Sequence, residues 1–340
     1  MSVVIFVIAV AALATSALLT WMVRNAALSS GILDKPNARS SHSVPTPRGG
    51  GLSIVLAVTS ALIVLTALGH VDFHLCIALG GGGLAVAAVG FADDRKPLSA
   101  RLRLLVHFGA ALWALVWLGG LPPLRFGPHV FVLGWGGYAL GALGIVWTLN
   151  LFNFMDGIDG IAASEAVFVT WCGAFLALSS GGSTEIAAVA IVFGAACSGF
   201  LFWNWPAAKV FMGDVGSGYI GFAVAVLAVA ATRADPAALL TWLLLGGIFF
   251  TDATITFLRR LIQGERVMDA HRSHAYQWLA RKWGSHRRVT VLTIVINFTW
   301  LLPWAVIGTE YPEFLGWIAL VALSPLAVLT VAAGAGRSET

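Results

Sequence analysis

The distribution of apolar residues along the chain predicts a bundle of membrane-spanning helices. A helix rises about 1.5 Å per residue, so about 20 consecutive apolar residues are needed to cross a bilayer. Eleven segments approach this length, near residues 3–22, 50–69, 73–92, 104–120, 129–149, 160–180, 184–203, 217–233, 237–257, 289–309 and 313–334. We therefore predict an all-α, polytopic integral membrane protein with about eleven transmembrane helices.

The composition is typical of a single membrane-embedded domain over residues 1–340. Apolar residues make up 59% of the chain and charged residues 11%, which leaves little material for a water-soluble domain. The three cysteines lie within predicted spans at no metal-ligand spacing, so we interpret them as packing residues. The lipid bilayer is an expected partner and a nucleic acid is not, while a homodimer stays open.

The basic residues predict how the helices are oriented. With alternating spans, the 20 lysines and arginines fall on one side except Arg125 and Arg233, which lie opposite, and Arg337 in the tail. Basic loops remain in the cytoplasm. The N-terminus is therefore predicted to be periplasmic. The loops after the odd-numbered spans, which carry nearly all the polar motifs, are predicted to be cytoplasmic.

The first polar motif is Asp93-Asp94, which ends the third predicted span and is followed by a basic loop that includes Arg103. Paired carboxylates beside guanidinium groups suit a site for Mg²⁺ and phosphate. The pair is equally typical of a solvated helix end, so by itself it decides little.

The second motif places Asn150, Asn153, Asp156 and Asp159 at intervals of three residues. On a helix this spacing puts successive members on roughly one face. A helix cap would explain one of the aspartates, but it does not explain two amides and two acids in register. We therefore predict that this stretch belongs to a functional site.

The third motif holds Asp214 among the glycines Gly213, Gly216 and Gly218, directly before the eighth predicted span. Glycine-rich backbone exposes N–H groups, and a following helix start favours an anion. No Gly-Lys-Ser/Thr follows, so the motif is not a Walker A loop. A metal–phosphate loop is favoured over a simple helix cap.

Two further loops carry candidate ligands for anionic substrates. The loop after the ninth span contains His271, Arg272 and His274, which could bind a pyrophosphate or a sugar; no nearby third ligand suggests zinc. The first predicted cytoplasmic loop contains Lys35 and Arg48, which could bind a lipid phosphate. The alternative for both loops is that their charges only set the topology.

Taken together and in this order, the motifs resemble those of the polyprenyl-phosphate N-acetylhexosamine-1-phosphate transferases, glycosyltransferase family 4. The resemblance runs from about Asp34 to Gln277, and its specificity lies in the order of the motifs at helix ends. It implies transfer of a sugar 1-phosphate from a UDP-N-acetyl-amino sugar to undecaprenyl phosphate, with release of UMP. It also implies Mg²⁺, or Mn²⁺ in its place, at the cytoplasmic face of a bacterial inner membrane.

The resemblance assigns roles to residues at matching positions. The implied metal ligands are Asp214 and Asn153. The catalytic candidates are Asp93, Asp94, Asp156 and Asp159. The substrate-binding candidates are Lys35, Arg48, Arg103, Asn150, His271, Arg272 and His274. Whether Asp93 or Asp94 acts as base, nucleophile or orienting group stays open.

The sequence departs from the family pattern at one motif. His274 matches the first histidine of the family's His-x-His-His, but Tyr276 and Gln277 stand where the other two histidines often stand. A MurNAc-pentapeptide substrate is therefore disfavoured. Residues 34–37 and 47–51 resemble the branch that initiates O-antigen, part of lipopolysaccharide, and the sugar stays open among GlcNAc, QuiNAc and FucNAc.

A membrane transporter or channel is the alternative from another functional class. It would place ionisable residues near the bilayer midplane, on broken helices in repeated halves of the chain. Here the acidic motifs lie at the ends of predicted spans and no internal repeat is evident. The pattern therefore favours an enzyme.

Overall fold

The computed structural model describes residues 2–30, 33–34, 44–265 and 271–337. Within these residues the chain is predominantly helical. The α-helices are α1 (Val3–Ser30), α2 (Leu52–Ala67), α3 (Phe73–Arg95), α4 (Ala100–Trp117), α5 (Trp135–Met155), α6 (Ile161–Ser179), α7 (Thr184–Asn204), α8 (Asp214–Ala231), α9 (Ala238–Leu245), α10 (Gly247–Ile262), α11 (Ala275–Trp283), α12 (His286–Ile296), α13 (Leu302–Glu310) and α14 (Leu315–Ala332).

Short irregular elements join some of these helices. A π-helical segment, Asn297–Leu301, makes α12 and α13 continuous, and a 3₁₀ turn, Pro312–Phe314, precedes α14. Two antiparallel two-stranded sheets complete the described elements. Their strands are β1 (Leu33–Asp34) with β2 (Thr46–Pro47), and β3 (Leu124–Phe126) with β4 (His129–Phe131).

The prediction of an all-α polytopic membrane protein is confirmed. Among the described residues, nine helices are long and apolar enough to cross a membrane, with α12 and α13 counted as one. The second predicted span is the shorter helix α2, of 16 residues. The ninth is broken into α9 and α10, which meet at 78° beside Gly246 and Gly247. Glycine pairs are common sites of sharp kinks.

Helix α8 lies at the centre of the bundle and is almost wholly buried. It packs against α3 and α5, and glycines allow their backbones to approach closely. A Cβ atom on Gly90 of α3 would overlap the backbone of Asp214, and one on Gly221 would overlap the backbone of α5 at Leu149. Small residues permit this kind of helix contact in membranes. The close packing sets the end of α3 beside the start of α8.

Backbone hydrogen bonds join the segment before α2 to the segment before α8. Gly50 N donates to Phe211 O at 2.9 Å, Gly51 N donates to Met212 O at 2.9 Å, and Phe211 N donates to Pro47 O at 2.8 Å. This pairing carries Arg48 to the first residues of α8. Polar helix ends therefore gather at one end of the bundle, and their cytoplasmic orientation stays a prediction.

Candidate active site

Asp94 holds the first turn of α8. Its Oδ1 accepts the backbone N–H of Asp214 at 2.9 Å, and its Oδ2 accepts that of Val215 at 3.1 Å. The first N–H groups of a helix have no partner within the helix, so a carboxylate there satisfies them and complements the helix dipole. Gly213 has a φ of 76°, and a Cβ atom there would collide with the Asp94 carboxylate. Gly213, predicted as part of an anion-binding loop, thus leaves the space in which the Asp94 carboxylate caps α8.

Two arginines bridge the three carboxylates of the first and third motifs. Arg48 Nη2 lies 2.9 Å from Asp94 Oδ1 and 2.9 Å from Asp214 Oδ1. Arg103 Nη1 lies 2.9 Å from Asp93 Oδ2 and 3.9 Å from Asp214 Oδ2. Burial alone would lower the pKa of Arg48, but the charges of Asp94 and Asp214 raise it. The five side chains carry a net charge of −1 when all are ionised.

A cavity of about 390 Å³ opens beside this charged cluster. Its polar end is formed by Arg103, Asp214, Asn150, Asn153 and His107. The amide of Asn153 donates to Ser217 Oγ at 3.0 Å, which fixes its orientation. The remaining walls are apolar and come from α3, α4, α5, α8 and α10; they include Val86, Leu104, Phe108, Val146, Trp147 and Phe257.

Asp159 is bound into the fold by two neighbouring segments, the loop of Ala208 and helix α12. Its Oδ2 accepts the N–H of Ala208 at 3.1 Å, and its Oδ1 lies 3.2 Å from His286 Nδ1. Its backbone carbonyl accepts the hydroxyl of Thr290 at 2.8 Å. These contacts hold the loop between α5 and α6 against α12.

Asp156 follows the last residue of α5 and is half-buried. Burial raises its pKa well above the ordinary value, and the negative charge of Asp214 adds to the rise, while Arg48 opposes it. Asp156 is therefore electrostatically coupled to the charged cluster. Neither Asp156 nor Asp159 lines the cavity.

The motif around His274 forms the start of α11. His274 is 3% exposed, and its Nδ1 lies 3.3 Å from Asp252 Oδ1. The Asp252 carboxylate also accepts the backbone N–H groups of Ala275 and Tyr276, each at 3.0 Å. The Tyr276 hydroxyl donates to the carbonyl of Phe154 at 2.9 Å. Tyr276 thus joins α11 to the end of α5 at the position where the family often has a histidine.

His271 stacks on His274 with ring centroids 5.0 Å apart, and its Nδ1 lies 2.9 Å from Ser273 Oγ. Burial lowers the pKa of His271 to about 3, with neighbouring His274 and Arg260 adding to the effect. His271 is neutral at pH 7, so it would contact an anion as a hydrogen-bonding group and not as a cation. Arg272 follows it, and the carbonyl of Arg272 accepts a hydrogen bond from Arg281 at 2.9 Å. Predicted Lys35 lies outside the described residues.

Comparison with known proteins places this arrangement in a family. The profile of Glycosyl transferase family 4 matches residues 76–232. A probable undecaprenyl-phosphate N-acetylglucosaminyl 1-phosphate transferase of Bacillus subtilis is 30% identical over 295 residues, which cover 85% of this chain and 81% of that protein. The chain belongs to glycosyl transferase family 4. The expected superfamily is thereby confirmed.

Other members of glycosyl transferase family 4 match at similar identity. The undecaprenyl-phosphate alpha-N-acetylglucosaminyl 1-phosphate transferase of Yersinia pestis is 30% identical, with 88% of this chain and 83% of that protein covered. The decaprenyl-phosphate N-acetylglucosaminephosphotransferase of Mycobacterium tuberculosis is 29% identical, with 84% and 78% covered. The relatives are thus named for two polyprenyl phosphates.

The family match and the structure overlap at the site. Asp93, Asp94 and Asp214, the three carboxylates of the charged cluster, lie inside residues 76–232. Arg48 lies outside that range, yet it forms two of the ion pairs. His107, which no motif indicated, lines the cavity one helical turn after Arg103. Its only sequence signal is that spacing of four residues.

The oxygen donors of the site suit a hard divalent cation that a substrate helps to bind. In the part of the chain that the structure describes, no group of three or more His, Cys, Asp and Glu side chains encloses a metal position. Mg²⁺ usually takes one or two carboxylates together with waters and substrate phosphates. Asp214 lines the cavity beside the amide of Asn153, so the donor set fits an open site.

Proposed function

We propose that this protein transfers an N-acetyl-amino sugar 1-phosphate from a UDP-sugar to a polyprenyl phosphate and releases UMP. Family membership supports this reaction, as do the activities for which the relatives are named. The observation that carries the proposal is the two-part cavity: apolar walls lead from the bundle to Arg103, Asp214 and Asn153. A lipid with an apolar chain and an anionic head group matches both parts.

The charged cluster can bind the reacting phosphates. Arg48 and Arg103 remain 37% and 35% exposed, whereas their partners Asp94 and Asp93 are 7% and 11% exposed. Each guanidinium therefore keeps donors for phosphate oxygens while its buried carboxylate fixes its position. We assign phosphate binding to both arginines.

We propose Asp214 and Asn153 as the residues that hold Mg²⁺. When bound, the cation neutralises the diphosphate and the leaving UMP. Asp94 uses both carboxylate oxygens on the start of α8, so we assign it the positioning of Asp214. Asp93 holds Arg103. A phosphomonoester is mostly ionised at pH 7, so the acceptor does not require a strong base.

N-acetylglucosamine is the first donor sugar to test, because the relatives are named for it. The role in O-antigen synthesis stays a prediction from residues 34–37 and 47–51. Purified protein in lipid nanodiscs should be incubated with Mg²⁺, undecaprenyl phosphate and UDP-GlcNAc, UDP-QuiNAc or UDP-FucNAc in parallel. We expect UMP release with one or more donors and only when the lipid is present. Solute or ion flux in proteoliposomes, without UMP release, would instead support the transporter.

His107 should help to bind the acceptor lipid. It is 8% exposed, it lines the cavity, and its Nδ1 has no hydrogen-bond partner among the described residues. His107→Leu should raise the KM for the polyprenyl phosphate roughly two- to tenfold, the effect of one lost hydrogen bond. His107→Gln can still form a hydrogen bond, so its KM for the lipid should stay close to that of the wild type. His74→Leu is the control, because His74 lies at the start of α3, away from Asp93 and Asp94, and does not line the cavity. An unchanged lipid KM in His107→Leu would remove His107 from the site.

A further inference from the structure

A carboxylic acid and an amide meet between membrane-spanning helices, apart from the candidate active site. Glu165 lies in α6 and is 0% exposed, while Asn297, 1% exposed, begins the π-helical segment that follows α12. Asn297 Nδ2 donates to Glu165 Oε2 at 2.6 Å. Neither residue belongs to the motifs that carry the family resemblance. Ionisable residues within membrane spans are rare and usually functional, and π-helical turns often mark functional positions.

Each member of this pair keeps one buried oxygen without a partner. Within the described ranges, Glu165 Oε1 and Asn297 Oδ1 form no hydrogen bond, although both atoms are shielded from solvent. The described residues also place no ion pair on Glu165, whose one hydrogen bond comes from Asn297. An ionised carboxylate there would be a buried charge without a counter-ion, which hydrocarbon strongly disfavours.

We propose that Glu165 binds a proton in the folded protein and forms a two-hydrogen-bond pair with Asn297. The amide already donates from Nδ2 to Oε2. A proton on Oε1 would be donated to Asn297 Oδ1, because a planar acid and a planar amide that share one hydrogen bond can close a second. One proton thus satisfies both unpartnered oxygens and removes the charge. The ligand of this site is the proton.

The same face of α12 also contacts the loop that carries Asp159. His286, Thr290 and Asn297 follow one another at intervals of four and seven residues, which places them on one side of a helix. His286 and Thr290 bind Asp159. Asn297, about 16 Å from His286 along the helix axis, binds Glu165. The acid–amide pair therefore fixes α6 against this helix at one point, and the bonds to Asp159 fix the loop before α6 against it at another. Glu165 and Asn297 are positioning residues.

Infrared difference spectroscopy tests the protonation without reference to catalysis. The spectrum of the wild-type protein minus that of Glu165→Gln, recorded in nanodiscs at pH 7, should contain one carbonyl stretching band of a protonated carboxylic acid. Asn297→Leu should retain this band and shift it to higher frequency, because the acid loses its amide partner. Carboxylate bands in the wild-type-minus-Glu165→Gln spectrum, or no acid band in it, would overturn the proposal.

The positioning role needs a second measurement, which rests on the proposed transferase function. Glu165→Gln can form the same two hydrogen bonds, so it should keep the wild-type unfolding temperature and transfer rate. Glu165→Ala and Asn297→Leu should lower the unfolding temperature and also lower the transfer rate per folded molecule, because the catalytic candidate Asp159 is held less firmly. Thr293→Val on the same helix face is the control, since among the described residues the Thr293 hydroxyl bonds only to Val289 of α12 itself. A Glu165→Gln protein as impaired as Glu165→Ala would contradict the neutral pair, whereas absence of transferase activity in the wild type would count against the function alone.

Discussion

Replacing Asp214 by asparagine is expected to abolish most transfer while the protein remains folded. The change preserves the shape of the side chain and an acceptor for Arg48, but it removes the negative charge at the start of α8. Preorganised charge at a reacting group typically accounts for about 10²- to 10³-fold in rate, and we expect a loss of this order. EDTA should abolish activity of the wild-type enzyme, and added Mg²⁺ or Mn²⁺ should restore it. The measurement is the rate of UMP release at matched protein concentration.

Asp72→Asn is the matched control for this substitution. Asp72 is also an aspartate at a helix start, where it accepts the N–H of His74 at 2.9 Å at the beginning of α3, but it lies at the opposite end of that helix from Asp93 and Asp94. Asp72→Asn should leave the rate of UMP release unchanged. Full activity of Asp214→Asn, or of the wild-type enzyme in EDTA, would exclude the metal assignment.

The second large effect is expected at Arg103. Arg103→Ala removes a cation that lies 2.9 Å from Asp93 and lines the cavity. Loss of a charged hydrogen-bond partner costs about 1.5–3 kcal/mol, or roughly ten- to a hundredfold in rate. Arg103→Lys should lose much less, because charge matters more here than the forked geometry. Transfer rates of both variants decide between phosphate binding and a purely topological role.

Arg101→Ala provides the comparison for Arg103. Arg101 is exposed at the start of the same helix, two residues earlier, and its removal should change little. If Arg103→Ala performs as well as Arg101→Ala, the basic residues of this loop serve the topology alone.

The sequence predicted the fold class because hydrocarbon imposes a simple rule on composition: helices that cross it must be long and apolar. Composition alone does not show whether an apolar run forms one straight helix. The run 237–257 looks continuous, yet α9 and α10 meet at 78°, and only the pair Gly246-Gly247 signalled a bend. The length of α2 was similarly overestimated, because apolar residues continue beyond its last turn.

The order of the motifs singled out carboxylates as candidates, but it did not predict how they would be arranged. In the structure Asp93, Asp94 and Asp214 meet in one cluster, and the bridging of Asp94 and Asp214 by Arg48 depends on backbone pairing between distant segments. The role of Asp252 also depends on the fold, since it binds three groups at the start of α11, more than 20 residues later in the chain.

Glu165 shows a signal that was present in the sequence and not used. It is an acidic residue inside the apolar run 160–180, which by itself indicates a special environment. Its partner Asn297 lies 132 residues away, so only the folded chain could identify the pair. His107 was missed for the opposite reason, since a lone histidine in an apolar helix is an ordinary core residue.

The most direct test of the central claim follows the phosphorus atoms of the donor. UDP-GlcNAc, or whichever UDP-sugar proves active, should be labelled with ³²P at the β position, next to the sugar, and incubated with the enzyme, Mg²⁺ and undecaprenyl phosphate. Transfer of a sugar 1-phosphate predicts that the label moves into the lipid product and that the released nucleotide is unlabelled UMP. Label that remains in released UDP, with an unlabelled glycolipid, would contradict the reaction proposed for this protein.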